Sequence, residues 1–287
     1  MTWILSSVVC SVIVSVLLKL APRWRVDVRQ AIAGGYLVAA LLALILLHPS
    51  PDVLIRAHSA AAWRILIALG ILLPSIFLVL ARAIETAGVV RTDAAQRLSL
   101  VISLIAAFTF LGGTFTWLKG LGAVLGFVAI ALIVTRQQSG GAARHTGWLW
   151  LAGVFFGLGV IDILFKRMAQ LQALPFTDVL FATFVLAFVL AALYVGGLFA
   201  THRAHWRWRH LAAALLLGVF NFGNIYFYVE AHKHLAHSPA LVFTAMNIGV
   251  IILATIVGVA AFRERLSRLN RAGLGVAIAA VIVLAFA

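Results

Sequence analysis

Apolar residues along the chain fall into ten stretches separated by short polar or turn-forming runs: 2–20, 31–48, 62–82, 88–110, 117–135, 147–167, 177–200, 211–229, 239–262 and 272–287. Each is about 16–24 residues, bracketing the roughly 20 residues of helix that cross a hydrocarbon core about 30 Å thick. Lipid-exposed strands are excluded, because an open sheet edge leaves backbone groups without partners in hydrocarbon. The breaks carry turn chemistry: Pro22, the run from His48 to Asp52, Gly112-Gly113, Ser139-Gly140-Gly141 and Pro175. The pattern predicts an all-α integral membrane protein with ten transmembrane helices. Residues 137–146, QQSGGAARHT, form the flexible polar linker near the middle, dividing the chain into halves at 1–136 and 147–287.

The fourth stretch departs from plain hydrophobicity. Its apolar run, 98–112, is too short to span alone, so the helix must draw its first turns from a segment holding Arg91, Asp93, Gln96 and Arg97. Charges inside a spanning helix are costly and mark a substrate or ion path by default. Asp93 precedes Arg97 by four residues, which suits an ion pair on one helical face. Thr92, Gln96, Ser99 and Ser103 extend the polar stripe toward mid-membrane. The competing reading places Arg91 and Arg97 at the interface with their heads snorkelling into the headgroups.

The halves read as repeats. SVLLKLAPRW (15–24) parallels DILFKRMAQL (162–171), with Lys19 falling on Lys166. The fourth and ninth stretches align at an offset of 151, pairing Gln96 with Asn247; the same offset puts Thr116 on Ser267 and Gly122 on Gly273. Five helices per repeat, an odd number, make the halves inverted in the membrane. Inverted repeats place a substrate site near the midplane at their interface.

The segment AFRERLSRLNRAGLGVAIAAVIVLA (261–285) resembles the closing signature of EamA-type permeases in the drug/metabolite transporter superfamily: acidic Glu264, then Leu266-Ser267, and Gly273 opening the last helix. The five-plus-five layout and the basic residues closing the first and sixth helices, Lys19 and Lys166-Arg167, also match. Three features depart from the family pattern. Gly113 stands where the first repeat usually carries an acid, Leu100 and Ile251 replace prolines early in the fourth and ninth helices, and the first helix lacks Trp-Gly. The resemblance implies a secondary transporter, a permease or exporter of a small polar metabolite such as an amino acid. It also permits a flippase or accessory subunit acting on lipid-linked headgroups. The expected location is the inner membrane, as a multi-pass protein.

Composition sharpens the picture without changing it. The chain is 64% apolar and 10% charged with a mean hydropathy of +1.12, against about 25% charged in soluble domains. A net charge of +14 would suggest nucleic acid in a soluble chain, but here basic loops between helices account for it. Six basic residues (Arg56, Arg64, Lys119, Lys166, Arg167 and Lys233) fall on the side shared with both termini, and the others on the opposite side. The basic side is normally cytoplasmic, which puts both termini outside. Cys10 is the only cysteine, so an intramolecular disulfide and a CxxC metal site are excluded. No cleavable signal peptide is expected, since the chain starts directly on its first apolar stretch.

Candidate site residues follow from the polar positions within the stretches. Asn221, Asn224 and Tyr228 form a stripe that ends at Glu230, serving either substrate contact or interhelical hydrogen bonding. Thr244 and Asn247 face Gln96 across the pseudo-twofold, so two amides can bind a polar metabolite from both sides. Arg97 supplies a fixed positive charge for a carboxylate or phosphate, with Asp93 holding it. Asp162, four residues before Lys166, reads as half of an ion pair that locks two helices, or as a proton-coupling carboxylate. Glu230 is the favoured coupling acid, because no base stands one turn before it and only histidines and Lys233 follow it, and Glu85 is placed in a loop. Ser7, Ser11 and Ser15, like Gly153 and Gly157, suit close helix packing, and Pro74 suits a kink toward the cavity. His202, His205, His210, His232, His234 and His237 are read as interfacial loop residues, since their spacing matches no closed zinc site. Neither HExxH nor paired carboxylates deep in the bilayer is present, so an enzyme is not expected, and no cofactor or metal is called for. The expected partners are membrane lipids and a small-molecule substrate, not nucleic acid; a monomer and a homodimer both fit.

Overall fold

A computed structural model describes residues 2–50, 60–87, 95, 96, 99, 102, 103, 106, 116–134, 147–170, 175–205, 207–262 and 268–286. Among them lie nine helices: α1 (Thr2–Leu20), α2 (Val28–Leu47), α3 (Ala60–Ala87), α4 (Trp117–Val134), α5 (Gly147–Ala169), α6 (Phe176–Ala200), α7 (Trp208–His234), α8 (Pro239–Phe262) and α9 (Arg268–Ala285). Among these residues α2, α3, α5, α6 and α7 carry stretches long and apolar enough to span a membrane. The fourth predicted stretch, 88–110, lies mostly outside the described residues, as does the linker 137–146.

The buried core joins one face of nearly every helix: Val8 and Val12 of α1, Tyr36 and Ala39 of α2, Leu69 and Leu73 of α3, Phe165 and Met168 of α5, Phe184 of α6, Val229 of α7, and Phe243 of α8. The other faces present Leu5, Leu41, Ile45, Ile67, Leu193, Leu211 and Ile256 outward. On a soluble protein such an apolar surface would drive aggregation. Around a bundle in lipid it is the expected exterior.

Small residues set the closest helix approaches. A Cβ on Gly218 of α7 would come within 2.6 Å of the Gly35 carbonyl and 2.5 Å of the Val38 Cβ on α2. Gly70 of α3 is pressed the same way against Leu186 of α6, at 2.5 Å. Gly153 and Gly157 of α5 receive Val79 and Ile76 of α3, the close packing expected of them. Ser7 is buried too, but it acts as a donor, to the Asn224 carbonyl and side-chain oxygens at 2.9 Å each. Ser15 is exposed.

Loops from different halves meet at both ends of the bundle. The turn before α2 docks on the α6–α7 connection: Gln30 donates to the His205 carbonyl at 3.2 Å and the Asp27 backbone to His210 Nδ1 at 3.2 Å. Asp27 also caps α2 by accepting from the Arg29 backbone, and it pairs with the Arg29 guanidinium at 2.9 Å. Burial pushes the Asp27 carboxyl up, but hydrogen bonds from Arg29 outweigh it and hold the group below its ordinary range. At the other end, the Ser50 backbone donates to Asp178 in the first turn of α6, where a carboxylate also suits the helix dipole.

Two helices run well beyond the stretches the hydropathy pattern predicts. α3 continues to Ala87, which places position 85 on its last turn rather than in a loop. α7 starts at Trp208 and ends at His234. Nothing in Glu230–His234 breaks a helix, and cationic side chains in a last turn complement the exposed carbonyls. The consequence is a correction for three histidines. His210, His232 and His234 are helical rather than in loops, and the first two are buried, at 5% and 1% exposure.

Candidate functional site

The extended α7 carries its polar stripe one turn further, through Tyr228 to His232, along the face that meets α5. There Asp162 of α5 accepts from Ser103 Oγ at 3.0 Å and from the Tyr228 hydroxyl at 3.3 Å. The His232 ring lies edge-on to Tyr228 with centroids 4.7 Å apart, and against Phe243 of α8 at 4.8 Å. Phe165 covers Tyr228 from α5 at 6.1 Å. Lys166, one turn after Asp162, is fully buried and donates from Nζ to the Ala236 carbonyl at 3.2 Å, in the connection between α7 and α8. A carboxylate, a phenol, an imidazole, a hydroxyl and an ammonium thus share one water-poor interior, built from α5, α7, α8 and the segment holding Ser103.

The ion pair expected between Asp162 and Lys166 does not form. Their spacing puts both on one helical face, but the short Asp162 side chain is taken by hydroxyls of Ser103 and Tyr228, while the longer Lys166 arm reaches the Ala236 carbonyl. Glu230, by contrast, has bases after it within reach: Lys233 at 2.9 Å and His234 at 3.5 Å. That group lies on another face of α7, where Lys233 also sits 3.7 Å above the Phe176 ring and Tyr226 packs on Trp3 and Phe176.

The other sequence-derived site residues are spread more widely. Asn224 is engaged by Ser7 and so fastens α7 to α1. Asn247 donates to the Phe243 carbonyl of its own helix at 3.0 Å. Asn221 lines a small apolar void beside Tyr36. Gln96 is half-buried, and its carbonyl accepts from Ser99. Thr244 sits on α8, with its side chain outside the described set, and Asp93 and Arg97 lie outside it altogether. Lys166 and His232 were absent from the sequence-derived site. The signal that could have found them is the four-residue spacing from Asp162 and Tyr228. Among the described residues no group of three or more His, Cys, Asp or Glu is placed to hold a metal.

A second cavity, of about 290 Å³, lies between α2, α3 and α6. Its walls are Ile32, Ile71, Leu78 and Leu190, with Pro74 of α3 and the polar groups of Arg29, Ser75 and Tyr194. Proline lacks the N–H that would have bonded the Gly70 carbonyl.

Helices apolar on their outer faces around a buried polar interior define a multi-pass α-helical membrane protein. The family model for EamA-like transporters matches residues 1–135, and a protein of Haemophilus influenzae described as uncharacterized is 40% identical over 285 residues, covering 97% of this chain and 95% of its own. The chain belongs to the EamA-like transporter family, and is therefore a membrane transporter. One solved crystal structure is similar in fold, with a TM-score of 0.73 over 99% of this chain and 96% of that one. Its sequence is 16% identical, so that likeness speaks for the fold alone.

Proposed function

We propose that this transporter is a secondary carrier of a small polar metabolite, such as an amino acid, working by alternating access in the inner membrane. Ten helices in two inverted halves, 1–136 and 147–287 joined through 137–146, would rock about a site at their interface. The observation that carries this reading is the buried cluster in which Ser103, from the first half, and Asp162, Tyr228, His232 and Lys166, from the second, meet among membrane-spanning helices. Ionisable groups kept inside a membrane bundle mark a substrate or ion path.

The helix pairings support the twofold. α1 packs on α7 as α3 packs on α5, and α2 on α7 as α3 on α6, while α2 with α6 and α4 with α9 pair across the halves. Contacts of this kind are exchanged by a rotation that swaps the halves. The match reaches single residues: Gly70 touches Leu186 and Gly218 touches Val38, and both glycines, like both partners, stand 148 positions apart.

Gln96, Arg97, Asn221, Asn224, Tyr228, Thr244 and Asn247 remain the proposed path-lining set, with Asp93 beside Arg97. For proton coupling the reading shifts from Glu230 to Asp162. A carboxylate beside a cation resists protonation. Glu230 has Lys233 and His234 against it, whereas Asp162 has only hydroxyl partners among the described residues.

The test is a metabolite-accumulation comparison between cells with and without the protein. A reproducible change in at least one small polar metabolite is expected; unchanged profiles across growth conditions would remove the carrier reading. The cavity between α2, α3 and α6, with Arg29 and Tyr194 among its lining residues, favours a second reading, a flippase for lipid-linked headgroups. That reading predicts a changed distribution of lipid-linked species between leaflets instead.

A further inference from the structure

We propose that Lys166 and His232 form the subsite that receives the anionic end, a carboxylate or phosphate, of the molecule this protein carries. The inference rests on the carrier reading and names the residues that would grip the substrate's charge. Lys166 is fully buried, and Ala236, through its carbonyl, is its hydrogen-bond partner among the described residues. An ammonium has three donors, and a buried cation without a counterion is strongly disfavoured. No described carboxylate stands within ion-pair distance. The acid on the same helix, Asp162, is occupied by Ser103 and Tyr228.

His232 is the second, independent observation. Its ring is 1% exposed, and among the described residues neither nitrogen has a hydrogen-bond partner. A neutral imidazole still presents one donor and one acceptor, and leaving both unmet in a dry interior is costly. Its nearest ring neighbours, Tyr228 and Phe243, fix its plane but satisfy neither nitrogen. Asp162 and Tyr228 are hydrogen-bonded, Lys166 and His232 each stand one helical turn beyond them, and Lys166 Nζ reaches the Ala236 carbonyl four residues after His232, which places the two groups on the same side of the α5–α7 contact. An oxyanion between them would take spare ammonium hydrogens and the ring N–H together, with charge-assisted bonds. The site is enclosed by protein, with the α7–α8 connection bonded to Lys166. It therefore suits a small soluble anion taken up when the bundle opens, rather than a lipid headgroup sliding in from the side.

The purified full-length protein in detergent is tested by thermal unfolding against the twenty amino acids, each paired with its carboxamide, and against inorganic phosphate and phosphatidylglycerol. At least one acid, or phosphate, should stabilise the wild type where the matching amide does not. Lys166→Met should lose that stabilisation, Lys166→Arg should keep it, and His232→Phe should raise the half-saturating concentration about ten-fold, the loss of one charge-assisted bond. Without ligand, Lys166→Met should unfold at an equal or higher temperature, because it removes an unpaired buried charge. A lysine needed only for packing would show the opposite sign. Three results overturn the proposal: an acid response intact in Lys166→Met, no response of the wild type to any acid or phosphate, or stabilisation by phosphatidylglycerol alone. Metabolite accumulation separates this from the carrier reading. If wild type and Lys166→Met change it equally, the subsite fails and the carrier stands.

Discussion

Tyr228 and Asp27 show what single residues contribute. Tyr228 keeps its ring between Phe165 and His232 and uses its hydroxyl on Asp162. Tyr228→Phe should leave the fold intact, costing about 0.6 kcal/mol, the average for interhelical hydrogen bonds in membranes. Because the lost bond is made to the candidate coupling acid, transport should change more than stability does. Unfolding midpoints and uptake measured on one preparation check this; equal, small effects on both would make Tyr228 structural glue. Arg97→Ala should abolish transport with expression unchanged, and normal transport by that variant would return Arg97 to the interface. At the membrane surface, Asp27 is a carboxylate held below its ordinary 3.8 by Arg29 despite partial burial. A lowered folded-state pKa stabilises above the unfolded value, and that contribution fades as pH falls through the folded one. The unfolding midpoint of the wild type should therefore drop more steeply below about pH 4 than that of Asp27→Asn. Parallel curves for the two proteins would show that the cap adds no pH-dependent stability.

Helices pack at distances set by glycine, and this gives the clearest prediction about elements. Gly218→Ala would press a methyl into the Gly35 backbone, which cannot swing aside, and so should cost about 1–3 kcal/mol. Among the described residues Gly196 has nothing within 4 Å of its would-be Cβ, so Gly196→Ala should stay within about 0.5 kcal/mol of wild type. Similar midpoints for the two variants would contradict the close α2–α7 crossing. The same elements show what was legible in the sequence. Runs of about 20 apolar residues gave α1, α2 and α6 within a few positions, because lipid demands that length directly. The ends of α3 and α7 were missed, since hydropathy falls at Glu85 and at Glu230 although the backbone continues as helix. Polar residues in the last turns are compatible with helix but not with a hydropathy threshold. His232 was misplaced for that reason: burial of its ring comes from Tyr228 and Phe243, on this helix and the next. The Asp162–Lys166 spacing suggests an ion pair that the structure does not form. What could not be read was that Ser103, 59 residues earlier, competes for the carboxylate.

At the scale of the whole molecule, the proposed carrier is a bundle whose buried polar centre lies between two halves that a twofold would exchange. Loops on the two ends already pair as alternate crossings require, with the turn before α2 on the α6–α7 connection, and Ser50 on the start of α6. Alternating access demands that the buried cluster be reached from each side of the membrane in turn. Cys10 is the only cysteine, so Cys10→Ser gives a background in which a single new thiol can be followed. Ser103, fully buried and bonded to Asp162, is the position to probe. A Ser103→Cys thiol should react with a membrane-impermeant reagent added to right-side-out vesicles and, separately, to inside-out vesicles. Reaction from only one side, or from neither, would contradict alternating access at this site.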